Sequence, residues 1–163
     1  METTLHRSPK MTKAPSISPL DAHAGYWLRW VSNHVSHAFE LKVESHGVSV
    51  AEWVLLRHLF DSAEAHPSQL AESLGMTRGA ISKIVDRLSE KGYVLRASPA
   101  GDRRYQTVKL TPSGRKLVPI LAALADHNDA EFFGHLSPAE RAALIATLKE
   151  IVSRRQLKGV PVD

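Results

Sequence analysis

Cysteine is missing from all 163 residues, which removes disulfide frameworks, thiolate metal sites and thiol-based redox switches. Long apolar runs are missing too: nowhere do about 18 such residues follow one another, the length a membrane-spanning helix needs. The opening METTLHRSPKMTKAPSISP has no continuous hydrophobic segment of the secretory type. The expectation is therefore a soluble, cytoplasmic chain with no membrane partner. Glycine-rich phosphate loops, nucleophile elbows and metalloprotease signatures are likewise absent, so neither an enzyme nor a bound cofactor is expected.

What is present is an uneven distribution of charge. The net charge is only +4, yet Thr77 to Lys116 carries ten basic side chains against the acids Asp86, Glu90 and Asp102. That segment is +7 and the remainder is −3. An ordinary solvated surface could carry such charges, but a concentrated positive field also fits a polyanionic partner. The length suits one hydrophobic core, with or without a helical extension.

Residues 1–18, with prolines but little apolar content, read as a tail. Leu20, Ala24, Trp27, Val31, Val35 and Ala38 recur at helical spacing and predict one long helix to about Ser45. Ser49 and Glu52 form a capping box ahead of Trp53, Val54, Leu56 and Leu59. Ser68 is placed to cap a third helix facing inward through Leu70, Ala71 and Leu74, and Gly75 stops it. Thr77 starts a fourth, with Ile81, Ile84, Val85 and Leu88 inside and Arg78, Ser82, Lys83, Asp86 and Arg87 outside. Two arms, Tyr93 to Ala97 and Tyr105 to Leu110, flank a turn at Ser98-Pro99-Ala100-Gly101 and predict a hairpin. Thr111-Pro112 and Ser137-Pro138-Ala139-Glu140 open two further helices, with apolar faces at Leu117, Ile120, Leu121 and Leu124, and at Leu144, Leu148, Ile151 and Val152.

The predicted fold is mainly α with a small β-hairpin. Its parts are a first flanking helix at 19–47, a central lobe at 48–111, C-terminal helices at 112–157 and a tail at 158–163. Short helices joined by the LGMT turn have the form of a helix-turn-helix, whose second helix enters the DNA major groove. Arg78, Gly79, Ser82 and Lys83 supply donors and small side chains for base edges, and Arg87 is better placed for phosphate. Ser68 and Thr77, at the two helix starts, complete the DNA-facing set. The hairpin makes this a winged helix, and Arg103 and Arg104 at its tip can reach the minor groove or backbone. Asp102 is the candidate for orienting the wing through a charge-assisted bond, although a plain turn aspartate would look the same.

From Ser68 to Leu117 the sequence resembles the MarR (multiple antibiotic resistance regulator) family of bacterial transcription factors. The motifs are Leu70-Ala71-Glu72, Leu88-Ser89-Glu90-Lys91-Gly92-Tyr93, Asp102-x-Arg104 and Leu110-Thr111-Pro112-Ser113-Gly114, in the family's order and spacing. The resemblance implies a homodimer, with the first and last two helices interleaved and two winged lobes on a pseudo-palindromic operator. The apolar faces of the flanking helices independently exceed what one lobe could cover.

The resemblance also implies a repressor released by a small aromatic or anionic ligand. Tyr26, Trp30, His34 and His37 form a second stripe on the first helix, and Trp53 with Arg57 on the next could face it. Aromatic walls with a cation suit an aromatic acid, though the same rings would also pack an interface. Two other readings stay open: a dimeric DNA-binding or interaction module without an effector, and a metal-responsive regulator using His34, His37, Glu40 and Glu44. No unambiguous set of three or four ligands stands together, so no metal site is expected.

Overall fold

Every α-helix but the first begins where a side chain or a proline deals with otherwise unpaired N–H groups. The computed structural model describes residues 17–98 and 106–158. Leu20–Ala22 is a single 3₁₀ turn, and His23 is extended at φ −97° and ψ 118° before α1 (Ala24–Glu44) starts. The long helix predicted from Leu20 is therefore interrupted. The interruption is held locally: His23 Nδ1 lies 3.1 Å from the Pro19 carbonyl oxygen, and the Trp27 indole donates to the Asp21 carbonyl at 2.8 Å.

The predicted capping box opens α2 (Val50–Phe60). Glu52 N–H donates to Ser49 Oγ at 3.2 Å, and Ser49 N–H donates to Glu52 Oε2 at 2.8 Å. Helix α3 (Pro67–Leu74) starts ahead of the predicted cap. His66 is its N-cap and Pro67 its first residue, so Ser68 lies inside the first turn. Proline's fixed φ suits that first position, and Gln69 Oε1 accepts from the His66 N–H at 3.1 Å. Gly75 at φ 63° ends α3, after which Thr77 caps α4 (Arg78–Glu90) by accepting from Ala80 N–H at 3.1 Å.

The hairpin arms are shorter than predicted, β1 (Val94–Ala97) and β2 (Thr107–Leu110), paired antiparallel with Val94 opposite Leu110 and Arg96 opposite Val108. Pro99 to Tyr105, and with them Asp102, Arg103 and Arg104, lie outside the described residues. Ala65 bridges Val108 on the far side of β2, tying the segment before α3 to the sheet. Helices α5 (Pro112–Phe133) and α6 (Pro138–Arg155) start as predicted, with caps at Thr111 and Ser137.

The core lies in the lobe. Leu55, Leu56 and Leu59 of α2 meet Leu70, Ile81, Val85 and Leu88, roofed by Val94 and Val108 and closed by Val118 and Leu121 of α5. Burying such a side chain contributes roughly 1.5–3 kcal/mol. The predicted α1 stripe is not part of this core. Leu20, Trp27 and Val31 are exposed, Val35 and Ala38 are half-buried, and α1 enters the core through its far end at Val43 and Phe39. Ile120 of α5 is exposed as well, and α6 buries no residue, its Leu144, Leu148, Ile151 and Val152 facing outward. The reason is geometric: α1 and α6 extend past the lobe that could cover them. Lys42 anchors α1 to α5, donating to Asn128 Oδ1 at 3.0 Å and Glu131 Oε2 at 2.6 Å.

Candidate nucleic-acid interface

Helical periodicity splits α4 into two functions. Ile81, Ile84, Val85 and Leu88 are buried, which turns Arg78, Gly79, Ser82, Lys83, Asp86 and Arg87 to solvent. The sequence-predicted set on α4 thus shares one exposed face, with the capping Thr77 exposed at its N-terminus. Ser68 is exposed in the first turn of α3. At Gly79 a Cβ would meet nothing within 4 Å, so the fold does not require glycine there and the backbone is open to close approach.

Not all of the basic segment points outward. Lys91 donates to both oxygens of Glu52, at 2.9 and 2.7 Å, and Glu52 is buried. Arg96 donates to Asp86 Oδ1 at 2.5 Å and to Gln106 Oε1 at 2.9 Å. The charge available to a polyanion is therefore smaller than the composition implies. Sequence reasoning missed these roles for Lys91, Arg96 and Gln106. A signal existed for Arg96, since strand alternation puts it on the face of Val94.

The aromatic stripe forms in part. Tyr26 meets Trp27 edge-on at 5.2 Å and Trp30 at 6.1 Å, and the His34 ring stacks on Trp30 at 5.8 Å. His34 Nδ1 lies 2.8 Å from the Trp30 carbonyl oxygen, which can only accept, so that nitrogen carries the proton. His34 and His37 border a cleft of about 420 Å³ completed by Asn33, Ala38, Leu41 and Phe132.

Trp53 and Arg57 do not join this group within the protomer. Trp53 packs edge-on against Phe39 at 6.4 Å, and Arg57 pairs with Asp61 at 2.6 Å. Phe39 is nine residues beyond Trp30 on α1, about 13–14 Å along the helix axis. The C-terminal half of α1 is the part that meets the lobe, which is why α2 reaches Phe39 and not the stripe. Among the described residues no three His, Asp or Glu side chains gather as a metal site, and no helix is long and apolar enough to cross a membrane.

Residues 46–104 match a family model described as the MarR family. A protein described as a transcriptional regulatory protein for the hcr operon of Thauera aromatica is 30% identical over 105 residues. The match covers 64% of this chain and the chain spans 63% of that relative's length. CouR from Rhodococcus jostii, solved bound to p-coumaroyl-CoA, superimposes with a TM-score of 0.72 at 25% identity, over 83% of this chain and 95% of its own. A mutant MarR from E. coli in complex with operator DNA gives 0.70 at 25% identity, over 78% and 92%.

Proposed function

We propose that this chain, which is similar to MarR-family proteins over residues 46–104, is a sequence-specific DNA-binding transcriptional regulator, a homodimeric repressor released by a small aromatic, anionic ligand. The observation that carries the reading is the exposed face of α4, where Arg78, Gly79, Ser82, Lys83 and Arg87 stand together beside the hairpin. In the major groove Arg78, Ser82 and Lys83 read base edges while Gly79 admits the helix closely. Thr77, Ser68 and Arg87 meet phosphates, and Arg103 and Arg104 reach the neighbouring minor groove or backbone, with Asp102 directing the tip.

Two lobes related by a two-fold axis read half-sites of a pseudo-palindrome about 10 base pairs apart. The exposed apolar faces of α1 and α6 support the dimer. For the ligand, the support is the aromatic face of Tyr26, Trp30 and His34 together with the p-coumaroyl-CoA bound by the similar CouR. In this reading Trp53 and Arg57 complete the site once a partner's helices are in place.

Binding-site selection from a random duplex pool, followed by salt titration on the selected duplex, tests the reading. If about 6 to 10 phosphates are neutralised, affinity falls roughly 10³- to 10⁵-fold between 50 and 200 mM salt. Simple aromatic carboxylates added to the same complex are expected to release the DNA. Failure to enrich any sequence, or salt-indifferent binding, overturns the regulator. Undiminished DNA binding with every carboxylate overturns the ligand assignment.

A further inference from the structure

Arg96 stands at an inward position of β1. The register pairs it with Val108, and its strand neighbours two residues apart on that face are Val94 and the partner Leu110, all buried or half-buried. A cation on such a face needs specific partners. It has them on α4: Asp86 Oδ1 at 2.5 Å, the Ser82 carbonyl oxygen at 3.2 Å, and Ser82 Oγ at 3.5 Å. Its other nitrogen donates to Gln106 Oε1 at 2.9 Å. Gln106 is in turn fixed through its carbonyl, which accepts from His66 Nδ1 at 3.2 Å, at the N-cap of α3. A single guanidinium thus joins the root of the hairpin to the exposed helix, and Gln106 joins both to the helix before it.

We propose that the Asp86–Arg96–Gln106 network is a positioning device that sets the hairpin's angle against α4, so that helix and wing meet one operator together. Asp86 is 60% exposed among basic residues on the face read as DNA-facing. A carboxylate there repels phosphate, so if charge alone were at work, removing it would tighten binding to every duplex. Arg96 offsets that charge and directs it to an internal use. The planar fork of Arg suits a bridge of this kind, since one nitrogen serves α4 and the other serves the residue leading into β2. The network's contribution is therefore to discrimination between sequences, while general affinity comes from the outward cations.

This inference rests on the DNA-binding reading above, and the test separates the two. The duplex enriched by the parent chain is compared with a scrambled duplex of equal length and composition, for the parent, Asp86→Asn, Asp86→Glu, Arg96→Gln and the double variant Asp86→Asn/Arg96→Gln. Asp86→Asn is expected to bind the scrambled duplex at least as tightly as the parent and the enriched duplex more weakly. The ratio should fall about tenfold, comparable to losing one good base contact. Arg96→Gln should do the same, the double variant should be no worse than the worse single, and Asp86→Glu should recover most of the ratio.

Hydrogen exchange without DNA gives a second measure, with amides of Thr107 to Leu110 exchanging faster in Arg96→Gln. If Asp86→Asn tightens both duplexes equally, Asp86 is only a repulsive charge and the proposal is wrong. Full additivity in the double variant, or an Arg96→Gln loss equal on both duplexes, also overturns it. A parent that enriches no duplex overturns the regulator reading itself, and the positioning role with it.

Discussion

Gly114 and Gly79 look equivalent in a sequence and are opposites in the fold. Gly114 lies in the first turn of α5, where a Cβ would be driven into the backbone carbonyl of Tyr93. That carbonyl accepts from Thr111 N–H at 3.0 Å, while Thr111 Oγ1 donates to the Gly92 carbonyl at 2.7 Å and accepts from Gly114 N–H at 3.0 Å. These bonds seam the end of the hairpin to the end of α4, so the backbone cannot retreat cheaply. Gly114→Ala is expected to lose about 1–3 kcal/mol in urea unfolding, whereas Gly79→Ala, in open space on a helix, should be neutral or gain up to about 1 kcal/mol. Equal stability of the two variants would contradict the close contact. The helix start at Thr111-Pro112 was legible, but the need for glycine at 114 was not, because it comes from a carbonyl twenty-one residues earlier.

Helix α6 is a case where local sequence sets an element's start and nothing in its own protomer buries a face. Ser137 N–H donates to Glu140 Oε2 at 2.8 Å and Glu140 N–H donates to Ser137 Oγ at 3.3 Å. The backbone N–H first, and the hydroxyl second, hold the Glu140 carboxyl below its ordinary value of 4.5. A carboxyl with a lowered folded pKa adds stability that is complete above the unfolded value and is lost as pH falls through the folded one. Ser137→Ala removes the hydroxyl and keeps the backbone N–H, so it should lower amide protection over the first turns of α6 at neutral pH. The difference from the parent should narrow as pH drops below 4.5. A gap that stays constant into acid would show that the Ser137 hydroxyl does not act through the charge of Glu140.

At the scale of the whole molecule, the apolar surface on α1 and α6 outweighs what the lobe covers. Trp27 is 53% exposed and Val31 44%, and on α6 Leu148, Ile151 and Val152 are 38%, 46% and 48% exposed. Helices of this length gain most of their stability from packing a face, and contiguous apolar patches of this kind mark association surfaces. Under the homodimer proposed here, Leu148→Glu buries a charge in the interface. It is expected to give a monomer by light scattering and to lose tight binding to a duplex with two half-sites. A Leu148→Glu protein that remains fully dimeric would place the interface elsewhere.

Local chemistry determined much of this protein directly from its sequence. Capping boxes at Ser49 and Ser137, prolines at 112 and 138, and glycines at 75 and 92 mark element ends because their effects act within a turn of chain. The buried and exposed faces of α4 followed from its 3.6-residue period, and the motifs from Leu70 to Gly114 carried the resemblance to the MarR family. Tertiary structure decided whatever depends on residues distant in the chain. The apolar stripe of Trp27 and Val31 had the period of a core face, yet periodicity cannot say whether a partner lies within reach. Ser68 gave way to His66 because Pro67 fills the first helical position, and Trp53 turned to Phe39 because α2 crosses the far end of α1. Arg96 counted as one more cation until the hairpin register brought it to Asp86. Spacing along a chain sets which face a residue takes, and only packing sets what that face meets.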